Sequence, residues 1–153
     1  MDALLKKLQL AGEPRLLVLN APESFAPTLE AWRAGLNVDL EPIAQHRYGF
    51  VLGFALQLED VEALAVGTGA WLQAGDAKLW VAYPKASSKR YRCAFNRDTG
   101  WQALGDAGFE GVRQIAVDED WSALRFRRVE FIRSLTRKDA LSEKGKSRTA
   151  AKR

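Results

Sequence analysis

The chain has 153 residues and a mass of 17.0 kDa, of which 47% are apolar and 27% charged, the composition of one globular domain able to bury a core without staples. A single cysteine, Cys93, excludes an internal disulfide, and with a single histidine there is no material for zinc clusters or for Ser-His or Cys-His machinery beyond one imidazole. The net charge of +4 is terminal in origin, because Arg137, Lys138, Lys144, Lys146, Arg148, Lys152 and Arg153 oppose only Asp139 and Glu143 while the rest of the chain is near neutral.

Residues 1–135 are therefore expected to form one domain and residues 136–153 a basic, disordered tail. No apolar run approaches the roughly 20 residues of a membrane span. The start, MDALLKKLQLAGEPR, lacks a signal-peptide core, so a cytoplasmic protein with no membrane partner is expected.

Asp2 to Leu10 places Leu4, Leu5, Leu8 and Leu10 on one side of a helix that Gly12 and Pro14 end. Arg15 to Leu19 is a continuous apolar run, as in the buried strands of parallel sheets. Ser24 to Ala34 spaces Phe25, Leu29 and Trp32 helically, with Ser24 as expected cap, Pro27 in the first turn and Gly35 as stop. Val38 and Leu40 alternate with Asp39 and Glu41 before Pro42, which predicts a short strand near the sheet edge.

Tyr48 to Leu56 reads as a second buried strand, Glu59 to Leu72 as a helix weakened by Gly67 and Gly69, and Ala77 to Tyr83 as a third buried strand. After a basic loop, Asp98 is expected to cap a helix that runs through Ala107 and stops at Gly108. Val112 to Val117 and Ala123 to Phe126 flank Asp118 to Ser122 too closely for a helix, so they form a hairpin, and a change of parity predicts a bulge or a strand end around Arg127 and Arg128. The predicted fold is α/β: a single doubly wound, mostly parallel sheet with helices on both faces and a C-terminal antiparallel hairpin.

That order, ending in LGDAGFEGVRQIAVDEDWSALRFRR, resembles the C-terminal half of class I S-adenosylmethionine-dependent methyltransferases, where a helix ending in Gly-Phe leads into a final hairpin. LLVLNAPESF, LWVAYPKASSK and AVDEDWSALRFRR together resemble a family of small bacterial proteins of unknown function, over about Leu16 to Arg128. The resemblance implies a reduced, degenerate methyltransferase-like Rossmann fold and transfers no catalytic residues. The cofactor of that fold lies against a glycine-rich turn after the first strand, where only glycine lets the backbone come close enough. Here the turn is Asn20, Ala21, Pro22, Glu23 and Ser24, with no glycine and one N–H fewer. Glu41 stands where a ribose-binding carboxylate is expected, but Pro42 follows it. No cofactor is therefore expected, S-adenosylmethionine being the one the fold would carry.

Gly67-Thr68-Gly69 lies inside a helix and lacks the third glycine of a dinucleotide fingerprint. His46 has no Ser, Cys or carboxylate near in sequence to act with, and a surface role is expected. Cys93 beside Arg92 invites a reactive thiol, against which stands a plain packing role. Pro84 to Arg90 leaves the C-terminal end of a central strand, where open α/β sheets bind ligands, and Lys85 to Asp98 carries +4. Its cations and hydroxyls suit a phosphate or carboxylate.

The expected ligand face comprises Asn20, Ala21, Pro22, Glu23, Gln57, Lys85, Ser87, Ser88 and Lys89. Asp118, Asp120 and Trp121 in the hairpin turn form a possible partner-binding site, with Trp121 expected to be exposed and the other tryptophans to be packing. Neither a catalytic nor a metal-ligating residue is assigned. The partner is unknown, an anionic small molecule or a protein. The functional reading is a non-catalytic binding or interaction module; the alternatives are an S-adenosylmethionine-dependent methyltransferase and a protein making weak, nonspecific nucleic-acid contact through its tail.

Overall fold

Asp2 opens the first helix by accepting the N–H groups of Leu4 and Leu5 on one carboxylate oxygen, at 2.7 and 3.1 Å. The computed structural model describes residues 2–96 and 99–132, and this helix, α1, spans Ala3–Lys7. It stops short of the expected Leu10 because Gln9 adopts a left-handed backbone (φ 63°), yet Leu8 and Leu10 remain buried. The tail expected at 136–153 lies outside the described residues, as does Asp98, the expected helix cap.

β1 (Leu16–Leu19) leads into a 3-10 turn (Glu23–Phe25) and α2 (Ala26–Arg33), which carries Pro27 in its first turn. Ser24 does not cap α2. Phe25 occupies that position without a side-chain bond, and the Ser24 hydroxyl instead pairs with the Tyr91 hydroxyl at 2.9 Å. β2 (Val38–Asp39) is the short edge strand. β3 (Phe50–Phe54) is narrower than the expected Tyr48 to Leu56, Tyr48 making an isolated bridge to Leu72 instead.

α3 (Leu58–Trp71) starts with a capping box between Gln57 and Asp60 and is followed by β4 (Lys78–Pro84). α4 (Gln102–Asp106) is shorter than expected and begins after Trp101, whose indole N–H donates to the Asn96 carbonyl at 2.9 Å. Gly108, with φ 95°, ends it as anticipated. β5 (Phe109–Ala116) and β6 (Trp121–Arg128) form the hairpin, and a second 3-10 turn covers Val129–Phe131.

The six strands lie in the order β2-β1-β3-β4-β6-β5, with the first four parallel and β6 antiparallel to both β4 and β5. Alternate strand residues feed two cores. Leu17, Val51, Leu79, Val81, Leu124 and Phe126 pack with Val61, Leu64, Trp71 and Leu104 from α3 and α4. Leu16, Val18, Phe50, Leu52, Trp80 and Ala123 pack with Leu5 from α1, Phe25 from the 3-10 turn, and Leu29 and Trp32 from α2. This two-sided burial is why β1, β3 and β4 read as unbroken apolar runs.

Of the bulge or strand end expected around Arg127 and Arg128 it is the strand end that occurs, β6 finishing at Arg128, while the hairpin's register shift falls between Gly111 and Arg113 on β5, with the exposed Val112 as the extra residue. One expectation for the hairpin is corrected. Trp121 is not exposed in a turn. It is the first residue of β6, 1% accessible, with its ring 5.1 Å from that of Phe54 and 5.0 Å from that of Tyr91.

Candidate functional site

The strand order reverses between β1 and β3, and in an open α/β sheet the crevice beyond the carboxyl ends of two such strands is the usual place for a ligand. Asn20 leaves β1 in a left-handed conformation (φ 59°) and directs its amide toward the Phe54 carbonyl at 3.5 Å. Ala21 packs against the same core as Tyr91, and Tyr91 reaches the loop after β1 through its bond to Ser24. The expected ligand residues Asn20, Ala21, Pro22 and Glu23 line neither of the two cavities described next.

A broad, open cavity of about 1120 Å³ lies one strand further along, over the carboxyl end of β4. Lys85, Ser88, Lys89, Arg92, Cys93 and Asn96 from the loop after β4 meet Gln114 and Ser122 from the hairpin there, above Tyr83 and Phe95. Among the described residues no carboxylate lines it, and none of Lys85, Lys89 and Arg92 makes an ion pair. The Tyr83 hydroxyl donates to Gln114 Oε1 at 3.1 Å, leaving the Gln114 amide N–H groups as donors, and Ser122 is buried with its hydroxyl on the cavity wall. Burial pushes the Cys93 thiol above its ordinary range, a Phe95 backbone hydrogen bond opposing it only in part, so the cavity gains no thiolate at neutral pH. This chemistry receives a negatively charged group.

Of the expected ligand face, Lys85, Ser88 and Lys89 line this cavity, whereas Ser87 does not. Gln57 lines a smaller neighbour of about 450 Å³ and caps α3 as well. Arg92, Gln114 and Ser122 were not singled out from sequence. Arg92 did contribute to the loop's excess charge; Gln114 and Ser122 arrive only through strand register, Ser122 pairing with Tyr83 across β4 and β6.

The acidic turn spends its groups locally. Asp118 Oδ1 accepts the N–H groups of Asp120 and Trp121 at 2.8 and 2.9 Å, closing the turn. Asp120 accepts the Ser88 hydroxyl at 2.9 Å while its carbonyl accepts the Lys85 N–H at 2.8 Å, which fastens the basic loop to the hairpin. Trp121 is buried whereas Asp118 is exposed, and none of the three lines the cavity. His46 lies away from both cavities with its ring 4.5 Å from that of Tyr48. Among the described residues no group of three or more His, Cys, Asp or Glu could hold a metal ion, and no helix is long and apolar enough to cross a membrane.

No family model and no curated protein matches the chain. Solved structures do. An S-adenosylmethionine-dependent methyltransferase from Aquifex aeolicus superposes with a TM-score of 0.59 at 15% identity, over 82% of this chain and 87% of that one. The fold is that of class I S-adenosylmethionine-dependent methyltransferases. A ribosomal-protein methylase from Lactobacillus delbrueckii subsp. bulgaricus follows with a TM-score of 0.51 at 9% identity, over 82% of this chain and 76% of that one.

At the switch point of this fold the residues depart from the glycine-rich turn expected there. The turn after β1 holds no glycine, Pro22 lacks an N–H, and Tyr91 is bonded to Ser24 beside it. On β2, the Asp39 carboxylate is already taken by Arg15 at 2.7 and 3.1 Å and by the Tyr48 hydroxyl at 2.5 Å. The Arg15 guanidinium holds that carboxyl below its usual range, with the Tyr48 bond acting in the same direction against partial burial. Glu41, the carboxylate expected to stand at the ribose, is exposed and lines neither cavity.

Proposed function

We propose that this protein is a binding module for a small anionic ligand, held in the cavity at the carboxyl end of β4 on a methyltransferase-type sheet. One observation carries the reading: Lys85, Lys89 and Arg92 converge on a cavity that no described carboxylate lines, and none of the three is neutralised by another described residue. Cations left unpaired around a concavity gain most from an anion, which supplies charge-assisted hydrogen bonds that water does not match. Calorimetric titration of the full chain with inorganic phosphate at low ionic strength tests it. The expected outcome is saturable binding that added salt weakens and that the double substitution Lys85→Ala, Lys89→Ala lowers about 10-fold or more, the loss of roughly one charged hydrogen bond. Binding indifferent to that pair overturns the reading.

The second reading is S-adenosylmethionine-dependent methyl transfer, and the likeness in fold to the Aquifex aeolicus enzyme favours it. Titration with S-adenosylmethionine separates the two. Micromolar binding that Asn20→Ala weakens and Lys85→Ala, Lys89→Ala leaves alone would place that ligand at the switch point and replace the first reading.

A further inference from the structure

The cavity over β4 has a neighbour with which it shares a wall. The segment Arg92, Cys93, Ala94 borders both, and the Ala94 N–H donates to the Leu56 carbonyl at 3.2 Å, so the divider is a single stretch of backbone tied to the end of β3. On its far side an alcove of about 450 Å³ is lined by Leu56, Gln57, Leu58 and Glu59. Leu56 is 37% and Leu58 43% accessible, so the alcove presents apolar surface to whatever enters it.

We propose that basin and alcove form one site for an organic phosphate, its phosphate among Lys85, Lys89 and Arg92 and an apolar group against Leu56 and Leu58. The assignment rests on the anion-binding reading above and deepens it. A lone carboxylate brings one charge and two oxygens to a basin with three cations that no described residue pairs, whereas a phosphate monoester brings nearly two charges and three terminal oxygens, which can meet donors from several sides. The Ser122 hydroxyl and the Gln114 amide supply neutral donors to the same space. Polarity is set by Glu59, whose carboxylate repels the phosphate from the alcove and leaves that end to the apolar group. Arg92, bordering both spaces, is the hinge of the recognition.

The test uses the full chain and four titrants: inorganic phosphate, phenyl phosphate, benzoate and benzyl alcohol. Phenyl phosphate is expected to bind about 10-fold or more tightly than inorganic phosphate, the gain from covering a ring's worth of apolar surface, and more tightly than benzoate or benzyl alcohol. Leu58→Ser, with its fold checked by circular dichroism, should narrow the gap between phenyl phosphate and inorganic phosphate about 10-fold; Arg92→Ala should weaken both. Inorganic phosphate binding as tightly as phenyl phosphate would overturn the two-part site and leave the anion reading standing. Benzoate equalling phenyl phosphate would overturn the choice of phosphate, and no binding by any anion would remove both readings.

Discussion

Asp39 joins three parts of the chain: its carboxylate takes the Arg15 guanidinium from the residue before β1 and the Tyr48 hydroxyl from the residues before β3. Tyr48 is nearly inaccessible, and burial first, then the bond to Asp39, pushes its hydroxyl above the ordinary phenol range, so it stays a donor at every pH of interest. Asp39 is the group that titrates. A carboxyl whose folded pKa is depressed contributes stability above its unfolded pKa and loses that contribution as pH falls through the folded value. Asp39→Asn is therefore expected to cost about 1–2 kcal/mol at pH 7, the lower part of the range for charged hydrogen bonds because Arg15 is partly solvated. The gap between wild type and variant in urea unfolding should close progressively below about pH 4; a gap that persists at pH 2 would show that charge is not what Asp39 contributes. Sequence marked Asp39 only as the polar partner in an alternating pair, because its two partners are 24 and 9 residues away.

α3 shows how far an element can be read without its surroundings. Its apolar spacing was legible, and both glycines read as weak points by the same argument from backbone entropy. The packing separates them. A Cβ on Gly67 would lie 2.3 Å from the Trp71 indole nitrogen, whereas one on Gly69 meets nothing within 4 Å. Gly69→Ala is thus expected to stabilise the protein by about 0.5–1 kcal/mol. Gly67→Ala should destabilise it by about 1–3 kcal/mol, since Trp71 belongs to the core and has to move. Thermal unfolding of the two single variants checks the pair, and shifts of the same sign would refute it. The bulge on β5 was not legible for a similar reason: side-chain parity is a property of one strand and marked only the end of β6, but a bulge is a mismatch between two strands, and the chain places it where Gly111 lies close over Leu124.

At the scale of the whole molecule, the sheet is most deeply covered at β3 and β4, whose Phe50, Val51, Leu52, Leu79, Trp80 and Val81 are essentially inaccessible between two helical layers. β5 forms one edge and is open along Val112 to Gln114. Native-state hydrogen exchange is expected to reach the global unfolding limit at the amides of Val51 to Phe54 and Leu79 to Ala82, and to run faster through sub-global opening along the outer part of β5. Uniform protection across the sheet would contradict this hierarchy. The same layering moves the cavity off the strand reversal: Tyr91 is bonded to Ser24 beside β1, and the loop that carries it opens over β4 instead.

By itself the sequence determined the α/β class, the order of elements, the apolar strands buried on both faces and the basic loop after β4, because periodicity and local charge are properties of neighbouring residues. The tertiary structure alone decided that Trp121 is buried, that Asp118 and Asp120 close a turn and hold a loop, and that Gln114 and Ser122 join Lys85, Lys89 and Arg92 around one cavity. Those facts depend on strand register and on contacts between distant segments, and a register is fixed by how whole faces pack, which no local stretch of residues encodes.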